Sequence, residues 1–407
     1  MNAIRKKHFS IIIIVAALGY FVDIYDLILF SIVRVPSLKA LGLSHDEITN
    51  VGIRLMSWQM TGMLLDGILW GILGDKRGRV SVLFGSIILY SAANIFNGLV
   101  TNVPQYEWLR FIAGFGLAGE LGAGITLVSE TMHKDKRGYG STIVVGIGVL
   151  GAVLASYIGS HYNWNIAYFI GGGLGLLLLI LRLGVYESGM YESVSKSKIS
   201  KGNILFLFRS KEIFKKYISC IAIGLPIWYV IGILIFLVPE FAVQMGVSGA
   251  STAKAVLWCY IGHAFGDSLC GLISQWFKNR KIVVFVYLCL TSISIPVFLF
   301  QSGISLDFLY FLCAMVGVAS GFWVVFITIA SEQFGTNLRA TVTTTVPNFV
   351  RGSLALMTAL LNVFWKDMNI PLIFSALIVG CIVMVISFVA LLGLKETFGK
   401  DLNYIEE

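Results

Sequence analysis

Ionisable residues inside long apolar segments are the part of this sequence whose types and spacing could do chemistry. The 407 residues are 57% hydrophobic and only 13% charged, and a charged side chain within hydrocarbon is costly unless it faces a cavity or a partner. Such residues occur in several apolar segments: Asp23, Asp26, Asp66, Arg110, Glu120, His263, Asp267 and Arg351. The pattern predicts a polar site buried inside a membrane-embedded protein.

Two acidic residues of the first apolar segment are candidates for proton binding. Asp23 and Asp26 are three residues apart, a spacing that places both on one face of a helix. Burial disfavours the charged form of a carboxyl group and a nearby arginine favours it, so a carboxylate that faces each side in turn can bind and release a proton. We predict that Asp23, Asp26 or Glu120 couples protons. The alternative is a permanent ion pair with Arg110 or Arg54 that only holds helices together.

Two arginines are candidates for binding an acidic substrate, because a guanidinium binds a carboxylate through two parallel hydrogen bonds. One is Arg110, for which pairing with a nearby carboxylate is an equal alternative. The other is Arg351, midway along a segment that contains Pro347. Proline removes a backbone hydrogen bond and disfavours helix at the residue before it, Val346. We therefore expect a broken helix that presents Arg351 and Asn348 to a cavity.

Further side chains are weaker candidates. His263 and Asp267 are four residues apart, on one face of a predicted helix, although a membrane histidine is more often a packing residue. The aromatic residues Tyr25, Trp228 and Trp323 are predicted to line the substrate cavity. In a chain with nine Trp and 28 Phe, packing or lipid contact is the competing interpretation.

Several classes of function are disfavoured by the sequence. The six cysteines are scattered through apolar segments without a CxxC pair or a ligand spacing, so we expect neither a disulfide nor a metal site. No nucleotide-binding loop, HExxH or nucleophile elbow is present, and we predict no cofactor and no enzymatic activity. The net charge of +8 resides in loops, which argues against nucleic acid as a partner.

The elements that must position these residues are twelve membrane helices, since a span takes about 20 mostly apolar residues. The first apolar run is too long for a signal peptide and is expected to be retained. Most Lys and Arg residues lie in the termini and the even-numbered connections, so the positive-inside rule predicts cytoplasmic termini. The predicted helices are 9–33, 50–74, 80–100, 105–131, 138–160, 164–186, 214–243, 252–277, 281–302, 306–333, 340–365 and 369–394.

The two halves of the chain carry a weak internal repeat. The stretch LVSETMHKDKRG, residues 127–138, is similar to IASEQFGTNLRA, residues 329–340, and glycines recur at offsets of about 200 residues, as at Gly62 and Gly262. Two related six-helix bundles with a site between them are typical of transporters. We predict an N-terminal bundle (1–186), a cytoplasmic linker (187–213), a C-terminal bundle (214–394) and a cytoplasmic tail (395–407).

One loop identifies a family resemblance. GILGDKRGR, residues 71–79, resembles the loop between helices two and three of the major facilitator superfamily. Asp75 adds nothing to a positive-inside signal, which suggests a further role. We expect Asp75 and Arg79, with Glu130 and Arg137, to form a cytoplasmic gate that closes when the charges pair.

The second half carries an altered copy of this gate. GLISQWFKNRK has Gln275 where the first half has Asp75, while Glu332 and Arg339 repeat the acidic and basic positions of helix four and its loop. We include Glu332 and Arg339 in the gate and expect the second copy to be the weaker one.

Three further stretches resemble the metabolite:proton symporter branch, which is close to the sugar porters. They are GYFVDIYDLILF in helix one, RFIAGFGLAGELGAGITLVSETMHKDKRG in helix four, and the tails LRLGVYESGMYESV and KETFGKDLNYIEE. The branch more usually has Glu-Trp where this chain has Asp23 and Ile24. Helix five lacks the proline of the antiporter signature, which favours import by symport over drug efflux.

The resemblance implies an all-α polytopic membrane protein of the major facilitator fold. We predict a secondary active transporter that imports a small organic acid or zwitterionic metabolite with protons, by alternating access. Its expected partners are that substrate, protons and the lipid bilayer, and it is expected to act as a monomer in a bacterial inner membrane. The alternatives are a sugar or cation carrier of the same superfamily, and a non-transporting sensor with this fold.

Overall fold

The computed structural model describes residues 2–77, 79–117, 137–187 and 204–400. Helices make up the regular structure of these residues, and no strand occurs among them. The first half contains α1 (Asn2–Ala40), α2 (His45–Arg77), α3 (Arg79–Asn97), α4 (Val103–Gly116), α5 (Arg137–His161) and α6 (Trp164–Glu187).

The second half contains helices that are interrupted more often. α7 consists of Lys211–Ala222, Leu225–Tyr229, a π-helical turn at Val230–Ile235, and Val238–Gln244, and it follows a short 3₁₀ helix, Ile204–Phe208. α8 (Thr252–Phe277) and α9 (Arg280–Leu299) are continuous, as is α12 (Leu372–Gly393). α10 consists of Leu306–Ser320 and Trp323–Glu332, and α11 of Thr336–Gly352, Leu354–Asn362 and a π-helical turn at Val363–Asp367.

These helices confirm the predicted fold class, an all-α membrane protein of twelve helices. Within the described residues, eight segments are long and apolar enough to cross a bilayer by length and composition. The breaks in α7 precede its prolines, since Pro226 and Pro239 each lie in the first turn of a segment, where a missing N–H costs no helical hydrogen bond.

Helix packing is similar in the two halves. α2 packs along α4 as α8 packs along α10, and the halves meet where α2 contacts α11 and α5 contacts α8. Glycines permit the close approach: a Cβ on Gly62 would lie 2.2 Å from the carbonyl oxygen of Phe111, and one on Gly262 would lie 2.0 Å from that of Ala314. The bounds of the two bundles and of the linker, whose residues 188–203 lie outside the described part, stay predictions.

The break predicted in α11 at Val346 is wrong. The first segment of α11 continues through Pro347 to Gly352. Neighbouring polar groups explain the tolerance, because a membrane helix can use side chains to satisfy carbonyls near a proline. Asn348 donates its amide to the Thr344 carbonyl oxygen at 2.8 Å, and the helix changes segment only at Ser353.

Candidate functional site

A buried ion pair between the halves is the centre of the candidate site. Arg351 of α11 donates from Nη1 to Oδ2 of Asp23 in α1, at 3.2 Å. The side chains are 1% and 0% exposed, so both charges are removed from solvent. Breaking a buried pair by removing one partner leaves an uncompensated charge, which is strongly destabilising.

Aromatic rings surround the guanidinium of Arg351. Its Cζ lies 5.7 Å from the ring centre of Trp323 and 5.9 Å from those of Trp228 and Tyr20, within the range of cation–π attraction. Neither Nε nor Nη2 of Arg351 has a hydrogen-bond partner among the described residues. Two donor nitrogens are therefore available to a ligand that enters between the rings.

The cavity around Arg351 is closed in this conformation. It has a volume of about 20 Å³, which is room for about one water molecule, whereas ligand pockets measure about 300–1,000 Å³. A metabolite can enter only after the halves separate. The lining comprises Tyr20, Ile24, Val149, Ile227, Trp228, Ile231, Tyr260, His263, Asp267, Trp323 and Arg351.

The pair of His263 and Asp267 forms another wall of the cavity. Nε2 of His263 lies 3.4 Å from Oδ2 of Asp267, and both side chains are buried. Oδ1 of Asp267 accepts a hydrogen bond from the backbone N–H of Val324 at 3.2 Å, at the start of the second segment of α10. The break in α10 thus has a partner on α8, and Gly321 packs directly against Gly266 and Asp267 there.

Arg110 and Asp26 lie within the first half rather than among the residues that line the cavity. Asp26 is 1% exposed, and Arg110 and Asn94 are polar groups that face it. Arg110 donates from Nη1 to the Tyr168 hydroxyl at 3.4 Å, which lies 2.6 Å from the hydroxyl of Tyr106. The two acidic residues of α1 therefore have different surroundings: Asp23 faces the second half and Asp26 faces its own.

Two other predicted substrate-binding residues lie away from the cavity lining. The Tyr25 hydroxyl donates to the carbonyl oxygen of Ala167 at 2.9 Å. Asn348 packs against Gly67 of α2, where a Cβ on the glycine would lie 3.3 Å from that of Asn348. Glu120, the third predicted proton site, lies outside the described residues. Trp228, Trp323, His263, Asp267 and Arg351 are the predicted residues that the structure brings together with Asp23.

A second ion pair joins the halves at the end of the molecule where α1 meets α2. Nη2 of Arg34 lies 2.8 Å from Oε1 and 3.0 Å from Oε2 of Glu240 in α7, and the Thr49 hydroxyl donates to Oε1 at 2.9 Å. The Arg34 Cζ is 4.3 Å from the ring centre of Phe236. We call Arg34, Thr49, Phe236 and Glu240 the interhalf clasp.

At the opposite end, the gate residues of the second half have partners within their own half. Glu332 accepts hydrogen bonds from Nε and Nη2 of Arg280 at 2.6 and 2.9 Å and from the Thr397 hydroxyl at 2.8 Å. Arg339 donates to the carbonyl oxygens of Ser331 and Phe334. The neighbouring Glu396 accepts from the backbone N–H of Arg280 and Lys281, so the tail is bound to the α8–α9 connection.

The side chains of the gate predicted for the first half lie outside the part of the chain that the structure describes. Glu130 lies outside the described residues, and so do the side chains of Asp75, Arg79 and Arg137. The predicted gate therefore remains a prediction in that half.

Some site residues had no sequence prediction. Tyr20 and Tyr260 are aromatic residues among many, so their types alone gave no signal. The clasp was detectable in principle, because Glu240 falls within the predicted helix 214–243 and Arg34 lies directly after the apolar run of the first helix. Charges near helix ends are usually assigned to the membrane interface, which hides a pair that closes two halves.

Comparison with known proteins agrees with this architecture. The family model for the Major Facilitator Superfamily matches residues 16–355. A proposed niacin/nicotinamide transporter, NiaP of Bacillus subtilis (strain 168), is 27% identical over 402 residues, covering 96% of each chain. The sialic acid transporter NanX of Escherichia coli (strain K12) is 26% identical over 300 residues, covering 70% of each chain.

A solved structure shares the fold across its whole length. The proton:xylose symporter XylE, bound to 6-bromo-6-deoxy-D-glucose, superposes with a TM-score of 0.71 at 16% identity, covering 98% of both chains. The family model spans most of the sequence, and the superposition covers 98% of the chain. The chain therefore belongs to the major facilitator superfamily, a family of transporters.

Proposed function

We propose that this transporter imports a small organic acid together with protons, by alternating access to the cavity around Arg351. The observation that carries the proposal is a buried guanidinium with two nitrogens that lack partners among the described residues, placed between the halves of a transporter. A carboxylate binds such a fork bidentately. The three rings near Arg351 favour a flat acid, since they offer faces on which a planar ring can stack.

The relatives support an acid as the substrate class. Niacin and sialic acid, which appear in the names of two relatives, both carry a carboxyl group. The first of these relatives is named after the uncharged nicotinamide as well. Asp267 and His263 lie on the same cavity, so a zwitterionic acid with a positive or hydrogen-bonding group would also find a partner. Nicotinate is therefore the first compound to test. Benzoate has no ring nitrogen, so a comparison of the two compounds measures what that nitrogen contributes to binding.

The test is uptake into proteoliposomes. Purified protein should accumulate labelled nicotinate or benzoate faster than protein-free vesicles when the outside is made acidic, since the neutral acids also cross a bare bilayer. A protonophore should abolish the accumulation. Sugars and organic cations tested in the same vesicles serve as the rival substrates. Accumulation of a sugar or a cation with no uptake of any acid would overturn the proposal, and so would acid uptake that ignores the proton gradient.

Orientation and assembly are part of the proposal. The basic residues of the even-numbered connections support cytoplasmic termini in the inner membrane of a bacterium. That orientation puts the clasp on the extracytoplasmic side. The proposed functional unit is a monomer.

The clasp gives a prediction about that side. Glu240→Gln removes the charge that neutralises Arg34, whose side chain is fully buried, so the closed extracytoplasmic side should open more often. A cysteine at Val149 in the cavity should then react about tenfold or more faster with an impermeant thiol reagent added outside right-side-out vesicles.

A matched control exists for this prediction. Arg54 and Glu107 form an ion pair at the same end of the molecule, but they join α2 to α4 within one half. Arg54→Gln should leave the labelling of Val149→Cys unchanged. Equal effects of the two variants would mean that the clasp does not close the halves.

A further inference from the structure

The buried pair of Asp23 and Arg351 indicates how proton and acid are coupled. We propose that Asp23 and the carboxylate of the transported acid compete for Arg351, so that one proton must bind Asp23 for each acid anion that binds. The inference rests on the proposed function and deepens it. It assigns the coupling proton to Asp23 rather than to Asp26.

The geometry allows a ligand to take over Arg351. Asp23 engages Nη1, while Nε and Nη2 have no hydrogen-bond partner among the described residues. Arg351 lines the cavity together with Tyr20, whose hydroxyl interacts with the guanidinium. A second carboxylate at that fork would place two negative charges beside one guanidinium in a site that excludes water. Repulsion and desolvation disfavour this arrangement, and a proton on Asp23 removes the conflict.

Charge balance then decides which states can close. The closed cavity has room for about one water, so an uncompensated charge in it is not solvated. The empty carrier closes because Asp23 neutralises Arg351, and the fully loaded carrier closes because the acid does so while Asp23 is protonated. With the acid alone the site has one excess negative charge, and with the proton alone it has one excess positive charge. A carrier in either of these states cannot close. Transport therefore requires that one proton moves together with each acid anion.

Other titratable groups face Asp23, and their pairing does not change in this scheme. Tyr20 and Asp26 lie on its own helix, and Asp267, His263 and Tyr260 belong to α8. Asp267 accepts a hydrogen bond from the N–H of Val324 and lies 3.4 Å from His263, and Asp26 faces Arg110. Of the three carboxylates Asp23, Asp26 and Asp267, Asp23 is the one that pairs with an arginine of the other half.

The first test needs no ligand. The six native cysteines are replaced by alanine, a single cysteine is placed at Val149, and its labelling by a thiol reagent is followed in detergent without substrate. Asp23→Asn leaves Arg351 uncompensated, so the empty carrier should remain open and label about tenfold or more faster. The double variant Asp23→Asn/Arg351→Gln, which has neither charge, should return to the slow rate of the parent.

The second test measures binding of nicotinate and benzoate between about pH 5 and pH 8. Affinity of the parent should fall by up to tenfold per pH unit as Asp23 loses its proton. Asp23→Asn should bind with little dependence on pH and should exchange labelled for unlabelled acid across proteoliposomes without net proton-driven uptake. Asp26→Asn should keep the pH-dependent binding of the parent.

The two tests separate the possible failures. If no acid binds the parent, the proposed function fails, and the labelling experiment still decides whether the pair controls closure. Slow labelling of Asp23→Asn, or fast labelling of the double variant, overturns the present inference. So does a pH dependence of binding that survives Asp23→Asn, because the coupling proton would then belong to another group: to Asp26 if the dependence disappears in Asp26→Asn, and otherwise to a group such as Asp267.

Discussion

Arg351→Gln is expected to lower the affinity for an organic acid by about 100-fold or more, as measured by titration of the purified protein with nicotinate or benzoate. The variant loses the charge and the fork that bind a carboxylate, and hydrogen bonds to charged groups contribute about 1.5–3 kcal/mol each. Arg351→Lys keeps the charge but lacks the planar fork. It should fall between the parent and Arg351→Gln.

The variant also has a consequence for stability that separates binding from folding. Without Arg351, the buried Asp23 has no cation across the interface and should take up a proton, so Arg351→Gln should be less thermostable than the parent at neutral pH. Asp23→Asn/Arg351→Gln should regain thermostability without regaining acid binding. Arg54→Gln, which removes an arginine at the surface of α2, should change neither property. If Arg351→Gln binds the acid normally, the cavity around it is not the substrate site.

The charged residues of the site were predictable from the sequence. Their separation into one cluster between the halves and another within the first half was not. Intramembrane charges are so costly that Asp23, Asp26, Arg110 and Arg351 stood out by type alone. Spacing placed Asp23 and Asp26 on one face of α1, yet a separation of three residues still leaves the two side chains about 60° apart around the helix. That offset is enough for Asp23 to meet Arg351 in the other half while Asp26 faces Arg110 in its own. Only the arrangement of neighbouring helices decides between them.

The positions of the helix breaks were also only partly predictable from the sequence. Proline is a visible cause, and the segments of α7 begin near Pro226 and Pro239. Pro347 had the same local signal, yet the helix continues through it to Gly352. α10 is broken without any proline, where Gly321 meets α8 and Asp267 accepts from Val324. A tertiary contact thus breaks α10 at a place where the local sequence has no proline.

The internal repeat allows one half to inform the other. Arg280 and Glu332 form a two-pronged ion pair in the second half. In the first half Glu130 corresponds to Glu332, and Arg79 lies one residue before the position that corresponds to Arg280. An analogous pair between Arg79 and Glu130 is the arrangement expected there. The second copy was expected to be weaker because Gln275 replaces an aspartate, but the arginine–glutamate part of it is intact.

Gly262→Val is expected to destabilise the protein by about 3 kcal/mol or more, the upper end of the range for overpacking. A Cβ at this position would lie 2.0 Å from the carbonyl oxygen of Ala314, and a backbone atom cannot rotate away as a side chain can. α8 and α10 would have to separate along their length. Thermal unfolding, monitored as the loss of monodisperse protein, should show a clear drop in the apparent Tm.

The internal repeat extends this prediction to the first half. Gly62→Val should be about as damaging as Gly262→Val, because a Cβ there would lie 2.2 Å from the carbonyl oxygen of Phe111 on α4. Gly173→Val is the matched control, since nothing lies within 4 Å of a Cβ on this exposed position of α6. All three variants place the same branched side chain in a helix, so any intrinsic helix effect is shared. A small effect at Gly62 with a large one at Gly262 would mean that the halves do not depend on the same close packing, whatever their resemblance in sequence.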